Sequence, residues 1–167
     1  LTDIVGKTAA MARRRAKSKI TVTTNIPPGL ELLGSADDLI HVLLNLCYNA
    51  CDAMRQGGRL DIDARAVLVD ANEALRYHLE LSGEYVEIRV TDTGHGMDPA
   101  TLERVFDPFF TTKPRGEGTG LGLAMVHATM RRHGGAIDVQ STVGRGTIFT
   151  LLLPRPAAHH AMIYAPV

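Results

Sequence analysis

Residues 35–54, SADDLIHVLLNLCYNACDAM, place Leu39, Leu43, Leu46, Ala50 and Ala53 at helical spacing. One face of such a helix is too apolar to stay in water and needs an opposing layer. Alternating segments offer that layer. KITVTTNI (19–26), RLDIDARAVLV (59–69), YVEIRVTD (85–92), AIDVQS (136–141) and TIFTLLLP (147–154) all read as strands. LELLGS (30–35) has room for a further short strand. Strands interleaved with helices point to an α/β domain.

The remaining helices follow from local signals. Residues 1 to about 17 read as a helix with Ile4, Val5, Ala9 and Met11 on its apolar side. Ser35 offers a cap for the long helix, with Asp37 and Asp38 in the first turn, where acids suit the dipole. A short helix follows Asp98-Pro99 to Val105, and another runs from about Leu121 to Arg132, ended by Gly134-Gly135. Residues 107–122 hold two prolines and four glycines and read as a mobile loop, while 70–84 give no clear signal. The last two strands form a hairpin turning at Val143-Gly144-Arg145-Gly146. The expected organisation is one domain over 1–154 and a tail or linker over 155–167.

Composition bounds the function. In 167 residues, 18 basic side chains balance 18 acidic ones, so no global field recruits nucleic acid or a membrane surface. The basic run Lys7, Arg13, Arg14, Arg15, Lys17 and Lys19 reads as a solvated helix face first and a docking surface second. Cys47 and Cys51 lie one helical turn apart without disulfide or zinc spacing, which suits buried packing thiols. No signal peptide and no membrane-spanning apolar run are evident, so a cytoplasmic setting is expected, although a parent protein could be membrane-anchored. The first residue is Leu, which suggests excision from a longer chain.

Three stretches carry chemistry. In DTGHGM (92–97) a strand ends in Asp92 and turns through Gly94 and Gly96. Either an Asx-type turn or a carboxylate facing a ligand donor accounts for it. On the long helix, Asn45, Asn49 and Asp52 share one stripe. Water could satisfy one such Asn, but two Asn and an Asp weigh toward a ligand, and amide oxygens suit a Mg²⁺ already shared with phosphate. Gly116, Gly118, Gly120 and Gly122 open a helix start, a ready anion site or a flexible connector. Before them, VFDPFFTTK (105–113) holds three of the four phenylalanines around Pro108 and reads as an apolar hinge. Lys113 and Arg115 follow it within reach of phosphate charge. The GKT at 6–8 is no phosphate loop, because Leu1 stands where its first glycine belongs.

Taken in order, NLCYNACDAM, DTGHGM, FDPFFTTK, GTGLGLAMV and GRGT resemble the ATP-binding catalytic domain of two-component sensor histidine kinases, within the family shared with gyrase, Hsp90 and MutL. The resemblance covers roughly residues 1–154. It implies a two-layer sandwich of a mixed sheet with helices on one face, and ATP held under a flexible lid. Carried over by position, Asp92 accepts from the adenine amino group, Gly94 and Gly96 close over the base, and Met97 lines its pocket. Asn49 is the Mg²⁺ ligand, Asn45 and Asp52 lie beside the triphosphate, and Lys113 joins Asn45 and Asn49 as a catalytic candidate. Gly118, Thr119, Gly120, Leu121 and Gly122 form the lid and helix start, Phe106 and Phe110 its hinge, and Thr147 the far wall.

The Phe box favours the histidine kinases over the gyrase and Hsp90 branches, and so does Asn45, where hydrolysing branches place a glutamate. None of the seven histidines (41, 78, 95, 127, 133, 159 and 160) is followed by an acid, so the phosphoacceptor is expected on a separate helical dimerisation domain. A downstream response regulator is the further partner implied, with neither nucleic acid nor direct membrane contact. A serine kinase of the anti-sigma type and a regulatory nucleotide-binding module without transfer activity are the rival readings.

Overall fold

A computed structural model describes residues 1–16, 19–114 and 118–156. Five strands form one sheet in the order β1-β2-β3-β5-β4, where β1 is Ile20–Asn25, β2 Gly58–Val69, β3 Gly83–Asp92, β4 Ala136–Thr142 and β5 Gly146–Pro154. β1 runs parallel to β2 and every other pair is antiparallel, so the sheet is mixed as expected. α1 (Thr2–Ala16), α2 (Ala36–Ala53) and α5 (Gly122–Arg132) lie on one face. Inward residues of β2, β3 and β5, including Leu60, Ile62, Val86, Ile88 and Leu151, meet Leu43 and Leu46 of α2 there.

Local chemistry sets the element ends. The Ser35 hydroxyl accepts from the Asp38 amide at 3.3 Å and starts α2. Asp98 does the same for Thr101 at 2.7 Å and starts α4 (Pro99–Arg104), whose first residue is proline. α5 stops where the Gly134 and Gly135 amides return to the carbonyls of Arg131 and Met130. The Arg13 guanidinium donates to the Val22 carbonyl at 3.0 Å, tying α1 to the edge strand β1.

Two sequence expectations change. Residues 30–35 form no strand: β4 pairs with β5 only as far as Leu152, and beyond it Leu33 makes one amide bond to the Pro154 carbonyl without extending into a ladder. Met11 is 43% exposed, because the buried stripe of α1 runs through Val5, Thr8, Ala9, Ala12 and Ala16. The uncertain stretch 70–84 holds a six-residue helix, α3 (Ala71–Arg76), opened by a reciprocal Asp70–Glu73 capping box. Ala74 of α3 packs with Val69, Tyr85 and Leu152 in a small second core. These strand residues have the parity opposite to the main core, so α3 covers one end of the sheet's other face. Cys47 and Cys51 are free and buried, and burial pushes the Cys47 thiol up to about 12. Among the described residues, no helix is long and apolar enough to cross a membrane.

Candidate functional site

β3 delivers Asp92 to the sheet end, opposite Leu60 on one side and Thr147 on the other. Its side chain is only 6% exposed, and Oδ1 accepts the Gly94 amide at 2.7 Å. Burial raises the Asp92 pKa above its ordinary value, against the opposing pull of the Gly94 and Thr147 amides. Thr147 is also buried. Its hydroxyl lies 3.0 Å from that of Ser141, which also donates to the Gly146 carbonyl and accepts the Met97 amide at 2.8 Å. Ser141 thus ties the glycine turn to the hairpin. Sequence reading missed it, since a serine in an alternating strand carries no distinctive signal.

The glycines after Asp92 have reasons internal to the protein. A Cβ at Gly94 would meet the Ala53 Cβ at 2.7 Å, and His95 donates its amide to the Ala53 carbonyl, so the turn lies directly on α2. Gly96 adopts φ +69°, and a Cβ there would stand 2.1 Å from the Thr142 carbonyl oxygen.

α2 supplies the other wall. The Asn45 side-chain amide donates to the His41 carbonyl at 3.1 Å. Its oxygen sits where a Cβ on Gly122 would come within 3.0 Å, so α2 and the start of α5 approach closely. Lys113 Nζ lies 3.5 Å from Asn49 Oδ1 and 2.6 Å from Asp52 Oδ2. Arg15 Nη2 reaches the second Asp52 oxygen, Oδ1, at 2.7 Å. Burial alone would raise the Asp52 pKa, but the hydrogen bonds from Lys113 and Arg15 prevail and hold it below its ordinary value.

The residues between α4 and α5 divide. Phe110 packs under the Arg104 guanidinium, 4.5 Å from its ring centre, and faces the cavity. Phe106 does not line the cavity; it packs against the main core and lies 5.5 Å from the His127 ring. Phe109 is 75% exposed and gives its amide to the Gly120 carbonyl. Gly120 has φ +67° with Phe109 backbone 2.3 Å from a would-be Cβ, and Gly118 sits against Thr111 and Lys113. Thr119 accepts the Leu121 amide at 3.3 Å; Leu121 caps α5 without a side-chain cap bond and is not part of the wall. Arg115 and Gly116 lie outside the described residues, as do His159, His160 and the tail from 157.

Together these groups line a cavity of about 980 Å³, whose wall includes Asp92, Gly94, Gly96 and Met97 as well as Asn45, Asn49, Asp52 and Lys113. Among the described residues no three His, Cys, Asp or Glu converge as a metal cluster. The Lys113 ammonium beside the Asn49 and Asp52 oxygens nevertheless shows that this wall accepts a cation. A divalent ion sharing its remaining ligands with phosphate suits that donor set.

Residues 34–157 match the family described as histidine kinase-, DNA gyrase B-, and HSP90-like ATPase. The chain belongs to this family, as an ATP-binding catalytic domain of the sensor histidine kinase type. It is 37% identical over 170 residues to the sensor kinase CckA of Brucella abortus (strain 2308), covering 100% of this chain and 18% of that protein. It is 41% identical over 141 residues to the sensor histidine kinase ZraS of Escherichia coli (strain K12), covering 84% of this chain and 26% of that one. The chain therefore spans about a quarter or less of the length of these relatives. Among solved structures, a mycobacterial sensor histidine kinase, MprB, superposes with a TM-score of 0.74 at 28% identity, covering 93% of this chain and 95% of that one. Full-length ShkA in complex with AMPPNP gives 0.73 at 28% identity, covering 92% of this chain and 29% of that chain.

Proposed function

We propose that the domain, comprising residues 1–154, binds ATP with Mg²⁺ and presents the γ-phosphoryl group to a histidine on a separate helical dimerisation domain. The observation that carries this reading is one cavity lined both by a buried carboxylate, Asp92, and by the Asn49 and Asp52 oxygens that already hold the Lys113 ammonium. The AMPPNP complex of the related ShkA supports the choice of nucleotide. When bound, ATP supplies the phosphoryl group and Mg²⁺ neutralises phosphate charge.

Asp92 accepts from the adenine amino group, the turn at Gly94 and Gly96 fixes the edge of the base pocket, and Met97 and Thr147 form its walls. Asn49 holds the metal, and Asn45 and Asp52 flank the phosphates. Lys113 leaves Asp52 for phosphate, and the uncapped amides of α5 face the same charge. Gly118, Thr119 and Gly120 provide the lid backbone, with Phe110 at its hinge. Positioning and charge neutralisation account for most of catalysis in such transfers. The bond from Pγ to the bridging oxygen breaks, a P–N bond forms, ADP leaves, and the imidazole proton passes to the acceptor domain's base. The parent protein acts on a response regulator, and this domain works in the cytoplasm.

Calorimetric titration with ATP, with and without Mg²⁺, tests the site. Asn49→Ala should abolish most of the Mg²⁺-dependent gain in affinity and leave metal-free binding nearly intact. Equal loss in both conditions would remove Asn49 as the metal ligand.

A further inference from the structure

Arg15 belongs to α1, outside the residues matched to the family, yet it lines the cavity. The buried stripe of α1 fixes that helix on α2 and the main core. Arg15, in its last turn, reaches across to two α2 residues one turn apart, placing its guanidinium 4.8 Å from the Tyr48 ring centre and 2.7 Å from Asp52 Oδ1. The other Asp52 oxygen is held by Lys113 at 2.6 Å. One carboxylate therefore serves two cations, and the cations repel each other across it. Asp52 keeps its charge under this load, since its carboxyl is held below the ordinary range.

We propose that Arg15 is a positioning residue of the nucleotide site, sharing Asp52 with Lys113 so that the lysine is held less tightly than Asp52 alone would hold it and is released toward phosphate. The proposal rests on the ATP reading above. Lys113 Nζ stands beside Asn49, where the metal would bind. A lysine paired with Asp52 alone would hold that place more tightly and compete with the metal–nucleotide pair. Arg15 weakens this hold while its stacking on Tyr48 keeps it in place. When Lys113 leaves, Arg15 stays with Asp52, so the half-buried carboxylate is never left unpaired.

The test is the rate at which acetic anhydride modifies Lys113 in the nucleotide-free 167-residue chain, read by peptide mass spectrometry, together with the ATP·Mg²⁺ dissociation constant. Arg15→Gln should slow Lys113 modification about two- to fivefold and weaken ATP binding by a similar factor, the range expected for a partly exposed pair. Arg15→Lys should restore both. Asp52→Asn should speed modification and erase the effect of Arg15→Gln in the double variant. A purely structural clamp predicts a lower melting temperature with the Lys113 rate unchanged, and that result would overturn the proposal. So would an Arg15→Gln effect that persists beside Asp52→Asn. If wild type binds no ATP the parent reading fails, while the Lys113 rates still judge Arg15 independently.

Discussion

The Gly94 amide donates to Asp92 Oδ1 at 2.7 Å, closing a turn in which a nearly buried carboxylate is held by its own backbone two residues on. The Asx-type turn and the ligand-facing acid are therefore compatible: one oxygen is engaged by the turn, and the cavity contains the same side chain.

Asp92→Asn should separate binding from folding. The variant loses a charge-assisted bond to the adenine amino group, roughly 1.5–3 kcal/mol, or at least tenfold in ATP affinity by calorimetry. Burial already disfavours the ionised acid, so removing its charge should leave the apo melting temperature unchanged or slightly higher. Wild-type affinity in the variant would end the adenine assignment.

The raised Asp92 pKa gives a pH dependence of definite sign. As pH falls through that value the group protonates above the range of an ordinary aspartate, and its acceptor role weakens. ATP affinity should decline on that acid side, and the decline should be absent from Asp92→Asn. For folding the sign is opposite: the ionised group costs stability at neutral pH, and the cost is relieved as pH drops through the raised pKa. Asp52, with its lowered pKa, contributes stability that is complete above the unfolded-state pKa and lost as pH falls through the folded value. Urea titrations of the Asp92→Asn and Asp52→Asn variants across this range should show opposite trends relative to wild type.

Gly96→Ala should be costly for the fold itself. It combines a left-handed φ of +69° with a Cβ 2.1 Å from the Thr142 carbonyl oxygen, so a loss of roughly 2 kcal/mol or more is expected in denaturant unfolding. Gly144→Ala is the comparison, with a similar positive φ but nothing within 4 Å. Equal losses would show that the close approach to Thr142 contributes nothing.

Ser141→Ala removes the hydroxyl that joins Met97, Gly146 and Thr147. Unfolding free energy should fall by about 1 kcal/mol, with a larger relative loss in ATP affinity than a remote surface substitution causes. An unchanged affinity would place Ser141 outside the site's support.

The parts of this protein legible in its sequence were those set by short-range pattern. Strand alternation located all five strands, and Ser35 and Asp98 marked helix starts, because each signal lies within a few residues. The α3 excursion was not legible: its six residues find their partners, Tyr85 and Leu152, only across the sheet. LELLGS has local strand character, but it meets only the last residue of β5, through one bond from Leu33 to Pro154. Arg15 was hidden in a basic run because its partner Asp52 is 37 residues away and on another helix. Phe106 was grouped with Phe110 by proximity in sequence, whereas one turns to the core and the other to the cavity.

Transfer of label from γ-labelled ATP tests the central claim most directly. The 167-residue chain would be incubated with ATP·Mg²⁺, alone and with the helical histidine-bearing domain proposed as its partner, and the product tested for acid and base stability. His95 lies in the turn between Gly94 and Gly96, beside Asp92, and its Nδ1 is paired with the Gly96 carbonyl. His127 stacks on Phe106, and His133 is tied to Thr129 and Ser35 at the far end of α5. With adenine on Asp92 as proposed, none of the three is expected within near-attack distance of the γ-phosphorus, about 3–3.5 Å. No acid-labile label is expected on this chain alone, and acid-labile, base-stable label is expected on the added domain's histidine. Acid-labile label on the isolated chain, or acid-stable label on the partner, would contradict the claim.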